Sequence, residues 1–215
     1  MTRRIAVVSA GLSDPSSTRL LADLLGKAAV EALDERLPEI ERLPDVEPVE
    51  TQVIELRPLA HPLADRLLTG FATGELADAL ETVAQADAVI AVTPVFSASY
   101  SGLFKTFFDV LERGSLDDTP VLVAATAGTA RHSLVLEHAL RPLFSHLHAV
   151  VVPTGVFAAS EDWGSGGADA ALVRRIERAA GELAALVAAR EPAARLDSFD
   201  RDLAAMGDFE DLLNR

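Results

Sequence analysis

The chain contains no cysteine among its 215 residues, and this absence excludes several kinds of chemistry at once. Disulfide bonds, thiolate nucleophiles, iron–sulfur clusters and cysteine-ligated zinc sites all require that side chain. Any redox activity of this protein therefore depends on a bound cofactor.

Basic residues are also scarce, with 19 Lys and Arg against 33 Asp and Glu, which gives a formal net charge of −14. A nucleic-acid partner needs a basic face that displaces counterions, so we expect none. No apolar run reaches the length of a membrane span, and the apolar segment near Met1 is too short and too interrupted for a signal peptide. We therefore expect a soluble cytoplasmic protein without a membrane partner.

Several short catalytic and nucleotide-binding motifs are missing as well. The sequence has no G-K-[ST] of an ATP-binding loop, no G-x-G-x-x-G of a dinucleotide fold and no G-x-S-x-G of a serine hydrolase. Four histidines lie between positions 132 and 148, but no carboxylates accompany them at ligand spacing. We expect no metal site.

Five apolar, β-branched segments are present, and they are mostly continuous rather than alternating. Continuous apolar strands are typical of a parallel sheet that is covered on both faces. The predicted strands are 4–9, 51–56, 87–93, 120–126 and 148–154. Helical patterns follow at 18–36, 74–86, 101–113, 132–147 and 168–190. The alternation predicts an α/β fold, a doubly wound five-stranded parallel sheet of the flavodoxin-like order 2-1-3-4-5.

The length of the chain and the helix-breaking Pro192 predict one domain that is followed by a C-terminal extension. We assign residues 1–190 to the domain, and 191–215 to a C-terminal arm that packs on the same domain or on a neighbouring subunit. The segment 57–75 is long for a connection between a strand and a helix, and a lid or a subunit contact is plausible there.

The first loop, between Ser9 and Thr18, is rich in hydroxyl groups and leads into the first helix. Backbone N–H groups at a helix start lack partners, and the helix dipole favours negative charge there. The loop is therefore either a phosphate site or a simple helix cap, and its sequence alone does not decide between the two.

The loop after the third strand faces the first one in the predicted fold. Pro94, Val95 and Phe96 offer apolar surface beside the main-chain groups of 94–98, which suits the polar edge of a flat heterocycle. Phe96 and Tyr100 are equally consistent with packing residues.

The segment "TPVFSASYSGLFKTFFDVL" (93–111) resembles "TPVY-x-x-x-YSG-x-x-K-x-x-x-D-x-L" of the NADPH-dependent FMN reductases. Residues 120–157 are similar to the strand, glycine turn and "ALRP" helix that follow in that family. The resemblance covers about 5–25 and about 87–157. Phe96 stands where the family motif has tyrosine, so no role of that hydroxyl carries over.

The resemblance implies an FMN site built from three loops. It assigns the phosphate to Ser9, Ser16, Ser17, Thr18 and Arg19, where Thr18 replaces the more usual asparagine. It assigns the isoalloxazine to Thr93, Pro94, Val95, Phe96, Ser97, Ala98 and Ser99. It assigns the far side of the ring to Thr126, Ala127, Gly128 and Thr129.

The function implied is an NAD(P)H-dependent FMN reductase that transfers hydride from the nicotinamide to FMN N5 and supplies reduced flavin to a luciferase-like monooxygenase. No side chain need act as acid or base, because the cofactor carries the chemistry. A flavin-retaining quinone or azo reductase, a flavodoxin-type electron carrier and a flavin-free binding module remain alternatives.

The family commonly forms homodimers or homotetramers through the helix after the ring-binding loop. Phe104, Phe107, Phe108 and Leu111 are consistent with such an interface and equally with packing on the sheet. Arg131 and Arg141 are candidates for the 2′-phosphate of NADPH.

Overall fold

The computed structural model describes residues 2–37, 49–164 and 167–191. The proposed arm therefore lies outside the described residues from position 192 onward. Within the described part of the chain, no helix is long and apolar enough to cross a membrane.

Seven strands of the described chain form one sheet, in which β2-β1-β3-β5-β6 are neighbours and β7 continues beside β5. All of these pairs are parallel, and the short β4 alone runs antiparallel, against β3. The predicted order 2-1-3-4-5 is confirmed, with β5 as its fourth strand and β6 with β7 as its fifth. The strands are β1 (Arg3–Ser9), β2 (Val49–Glu55), β3 (Ala88–Phe96), β4 (Ser99–Tyr100), β5 (Pro120–Ala127), β6 (Val150–Val151), β7 (Val156–Ala159), β8 (Trp163–Gly164) and β9 (Gly167–Ala168).

The helices cover both faces of this sheet, and a π-helical turn at Leu136–Leu140 leads directly into the fifth of them. They are α1 (Ser17–Asp34), α2 (Ala60–Thr69), α3 (Glu75–Ala84), α4 (Gly102–Asp109), α5 (Arg141–His146) and α6 (Ala170–Ala188). Asp169 caps α6 by accepting a hydrogen bond from the Leu172 N–H at 2.7 Å.

Helix α2 corrects the prediction of a long loop at 57–75. Pro62 lies in the first turn of α2, where a proline is tolerated because its missing N–H would have no helical partner. Leu59 and Leu63 are buried and fix the helix to the protein, while Gly70 ends it in a left-handed conformation at φ 85°.

Two apolar cores, one on each face of the sheet, explain why the strands are continuously apolar. In β1, Ile5 and Val7 belong to the core under α1 and α6, whereas Ala6 and Val8 belong to the core under α2 to α5. Each residue from Ile5 to Val8 is buried on one side or the other, so no polar position alternates with the apolar ones in this run.

Helix α4 packs its aromatic residues against the sheet. Phe104, Phe107 and Phe108 are 0–1% exposed, and the ring centroid of Phe108 lies 4.9 Å from that of Phe144 in a T-shaped contact. Leu111 is partly buried against the same core. Of the two interpretations open from the sequence, packing on the sheet is the one that the structure supports.

The predicted fifth strand at 148–154 is interrupted, because Pro153 separates β6 from β7. Arg141 donates from Nη1 to the Val152 carbonyl at 2.8 Å and from Nη2 to the Pro153 carbonyl. On the other face, the Glu182 carboxylate accepts from the N–H and hydroxyl of Thr154 at 2.7 and 2.8 Å. Burial alone would raise the pKa of Glu182, but these bonds together with Arg178 hold that pKa below its ordinary value.

Candidate functional site

The three loops singled out from the sequence meet at the carboxyl edge of the sheet. The N–H of Ala10, just after β1, donates to the Val92 carbonyl of β3 at 2.9 Å. Pro94 of β3 lies in register with Thr126 of β5. Because β1 and β3 are neighbours whose connections leave in opposite directions, this edge is the topological switch point of the sheet.

The first loop delivers unpaired backbone donors at the start of α1. Ser16 is the N-cap, and its Oγ accepts from the Arg19 N–H at 3.2 Å while its carbonyl accepts from the Leu20 N–H at 3.0 Å. Helix geometry leaves the N–H groups of Ser17 and Thr18 without acceptors inside the helix. The structure thus has both features, a capped helix and two free donors that suit an anion.

Gly11 is a member of this loop that the sequence reasoning did not assign to the site. A Cβ added at position 11 would lie 2.1 Å from Ser16 Oγ, closer than atoms can approach, and 3.1 Å from Ser16 Cβ, which is a tight contact. The backbone of Gly11 therefore packs directly on the helix cap. A single glycine near the end of a strand is the only signal that could have indicated this contact.

Arg19 has carboxylate partners in the structure. Its Nε lies 2.8 Å from Asp23 Oδ1, and its Nη1 contacts Glu55. The hydrogen bond to Asp23, together with Glu55, raises the pKa of Arg19 against the opposing effect of burial. Its guanidinium would have to leave these carboxylates before it could add charge at the first loop.

The second loop is a tight β-hairpin formed by β3 and β4. Val95 pairs with Tyr100 and Phe96 with Ser99, so that Ser97 and Ala98 form the two-residue turn. Both turn residues have positive φ, 48° and 65°, as a type I′ turn requires. Neither is glycine, so the turn is held in a strained backbone conformation of the kind found at ligand sites.

The two aromatic residues of this loop have different surroundings. Phe96 is 48% exposed at the hairpin, whereas Tyr100 is half-buried with its ring centroid 5.9 Å from that of Phe104. Tyr100 is therefore a packing residue, and Phe96 offers apolar surface to a ligand.

Thr93 lies beneath the hairpin with no exposed surface. Its Oγ1 accepts from the Ser101 N–H at 3.0 Å and donates to the Pro94 carbonyl at 2.9 Å. Ser101 in turn caps α4, accepting from the Phe104 N–H at 3.2 Å. The side chain of Thr93 therefore joins the hairpin to the start of α4.

Replacing Thr93 by valine should lower the free energy of unfolding by about 1–3 kcal/mol, because the buried Ser101 N–H loses its acceptor. Urea denaturation measures the change. Thr106→Val is the matched control, since the Thr106 hydroxyl donates to Gly102 at an exposed site on α4. Equal stability of the two variants would contradict this role of Thr93.

The third loop follows β5 and lies at the same carboxyl edge of the sheet. Thr126 is buried, Ala127 is half-buried, and Gly128 and Thr129 are exposed, with open space where a Gly128 side chain would be. Thr129 Oγ1 accepts from the Arg131 N–H at 3.4 Å and begins the short turn Ala130–His132. Among the residues that the structure describes, no group of three His, Asp or Glu side chains is arranged to hold a metal ion.

Comparison with known proteins identifies relatives that match most of this chain. The model of the family described as NADPH-dependent FMN reductase matches residues 3–164. The FMN reductase (NADPH) of Pseudomonas aeruginosa is 39% identical over 160 residues, which are 74% of this chain and 78% of the relative. The NADH-dependent FMN reductase SfnE of Pseudomonas putida is 37% identical over 177 residues, 82% and 88% of the two chains. The solved structure of an oxidoreductase from Corynebacterium diphtheriae superposes with a TM-score of 0.80 at 46% identity, covering 88% of this chain and 99% of that one.

Proposed function

The chain belongs to the NADPH-dependent FMN reductase family, and we propose that it reduces FMN at the carboxyl edge of its sheet and releases the product to a flavin-dependent monooxygenase. It is an oxidoreductase that uses FMN and a nicotinamide nucleotide. The observation that carries the proposed site is the start of α1, whose free donors lie beside the hairpin and the third loop.

The phosphate end of the proposed site is the first loop. Ser9, Ser16, Ser17, Thr18 and Arg19 are the residues we assign to it. The N–H groups of Ser17 and Thr18 would donate to phosphate oxygens, and the positive end of the α1 dipole would favour their charge. Because these donors are backbone N–H groups, the site could bind a phosphate without a cluster of basic side chains, in a protein whose net charge is −14.

The ring end of the proposed site is the hairpin together with the third loop. Its residues are Thr93, Pro94, Val95, Phe96, Ser97, Ala98 and Ser99, with Thr126, Ala127, Gly128 and Thr129 opposite. Exposed Phe96 supplies apolar surface, and the open position at Gly128 leaves room for a flat ring. When bound, FMN supplies a hydride acceptor that no side chain offers. The protein's part is to hold ring and nicotinamide in contact.

Release of the reduced flavin is supported by the openness of this edge. Phe96, Gly128 and Thr129 are all exposed, so nothing in these two loops closes over a ring. A flavin held at such an edge can exchange with solvent, as a diffusible product must.

The test is oxidation of NADPH and NADH by the purified protein, followed by loss of near-ultraviolet absorbance, with and without added FMN. We expect a rate that rises and saturates with FMN, and loss of most flavin on gel filtration. Flavin retained through the column, with a rate independent of added FMN, would favour the quinone or azo reductase instead. Binding of FMN without turnover would favour an electron carrier.

The nucleotide preference gives a separate prediction at Arg131. Arg141 is engaged by the carbonyls of Val152 and Pro153, so it has a structural role, whereas Arg131 is exposed on the turn after the third loop. Arg131→Ala should lower kcat/KM for NADPH about fivefold and leave kcat/KM for NADH unchanged, as expected for one exposed ion pair to the 2′-phosphate. Arg113→Ala, an exposed arginine away from this edge, is the control for net charge. An equal fall for both nucleotides would exclude this role.

We also propose that the protein is a homodimer or homotetramer. The aromatic residues of α4 are buried within the subunit, but Leu67, Leu68 and Phe71 at the end of α2 are 58%, 86% and 77% exposed. An exposed apolar patch of this kind favours association between proteins. Sedimentation velocity of the wild type measures the oligomeric state.

A further inference from the structure

Two buried threonine hydroxyls join the first and third loops. Oγ1 of Thr18 lies 2.7 Å from Oγ1 of Thr126, although 108 residues separate the two positions. The residues are 3% and 4% exposed. From the resemblance, each was expected to bind FMN separately, one at the phosphate and the other at the far side of the ring.

The two partners differ in how firmly the fold holds them. Thr126 lies inside the sheet, in register with Pro94 of β3 on one side and Ala158 of β7 on the other. Thr18 lies in the first turn of α1, and its N–H is one of the two free donors at the proposed phosphate end. A bond from the sheet to Thr18 therefore fixes where those donors point.

The number of hydrogens on the pair limits what it can offer a ligand. Each hydroxyl carries one hydrogen, and the bond between them uses one of the two. A single hydrogen remains for any outside acceptor. The pair consequently behaves as one unit and not as two independent ligands.

We propose that the hydroxyl of Thr126, which is bonded to Thr18 and turned away from the ring surface that the rest of its loop offers, makes Thr126 a positioning residue for the phosphate of FMN, acting through Thr18. By holding the first turn of α1, it gives the site its preference for FMN over riboflavin, the same ring system without the phosphate. This inference rests on the proposed function and names one determinant of its flavin selectivity.

The test compares dissociation constants of oxidised FMN and riboflavin, measured by flavin fluorescence on the flavin-free protein. Thr126→Val should raise the constant for FMN about tenfold, the effect of losing one buried hydrogen bond, and change that for riboflavin less than twofold. Thr126→Ser, which keeps the hydroxyl, should restore FMN binding. Thr82→Val is the matched control, since its hydroxyl donates to Asp78 within α3, away from this edge.

Thr18→Val removes the same bond from the other side. It should show the same FMN-specific loss, and the double variant should be no weaker than the weaker single variant, because both changes delete one interaction. If Thr126→Val does not fold, Thr126→Ala, which also lacks the hydroxyl, must show the FMN-specific loss.

Equal weakening of both flavins by Thr126→Val, or effects of the two substitutions that multiply, would overturn the inference and leave the proposed function intact. A wild-type protein that binds FMN no better than riboflavin would overturn the proposed phosphate site as well.

Discussion

Gly11→Ala is expected to raise the dissociation constant for FMN at least tenfold. The added Cβ would lie 2.1 Å from Ser16 Oγ and 3.3 Å from Thr18 Cβ, so the Ser16 hydroxyl has to leave its capping position and the loop or the start of α1 has to shift to relieve the remaining contacts. Overpacking of this kind costs about 1–3 kcal/mol. The movement would displace the N–H groups that we assign to the phosphate, and fluorescence titration with FMN measures the loss.

The control for this substitution is Gly181→Ala in α6. The nearest atom to its added Cβ is Arg36 Nη2 at 3.8 Å, an ordinary contact, and alanine is the better helix former by about 1 kcal/mol. FMN binding should stay unchanged there, and the melting temperature should rise slightly. If Gly11→Ala also leaves FMN affinity unchanged in a folded protein, the first loop is not the phosphate site.

The layout of the sheet could be predicted from the sequence because a strand that is buried on both faces has an uninterrupted run of apolar residues. Ile5 to Val8 alternate between two cores, and both cores demand apolar residues, so the run is uninterrupted. The same logic identified β3 and β5, whose buried runs are also continuous. It failed at β6 and β7, because the chain is interrupted at Pro153. Arg141 of α5 and Glu182 of α6 stabilise this interruption, and the sequence around Pro153 does not show either contact.

The meeting of the three loops was predictable from topology, but the hydrogen bonds of their hydroxyl groups were not. Loops that follow β1, β3 and β5 must meet at one edge in this strand order, whatever their sequence. Which hydroxyls are already bonded depends on long-range contacts, such as Thr18 with Thr126 and Thr93 with Ser101. A motif records the type of residue at each position and not its partner in the fold.

The helix α2 was missed for a local reason. Two prolines, at 58 and 62, lie next to or within this short helix, and proline ordinarily breaks a helical pattern. In the structure, one precedes the helix and the other occupies its first turn, where neither removes a helical hydrogen bond. Position within a helix, and not the presence of proline, decided the outcome.

Phe108→Ala should destabilise the protein by about 3–5 kcal/mol, the cost of removing a large aromatic side chain from a closed core. Phe108 is 1% exposed, and its ring centroid lies 4.8 Å from that of Phe104 and 5.4 Å from that of Phe107. Urea or thermal unfolding measures the change. Leu134→Ala is the control, because Leu134 is 63% exposed and its removal leaves no cavity.

The same substitution separates the two interpretations of α4. If Phe108 served a subunit interface, its removal would lower the stability of the oligomer in a concentration-dependent way and leave that of the isolated subunit intact. If it belongs to the core, the loss is the same at all protein concentrations. We expect the second result, since Phe108 contacts Phe144 at 4.9 Å inside the subunit. A melting temperature of Phe108→Ala that fell steeply on dilution, with wild-type stability at high concentration, would reverse the assignment.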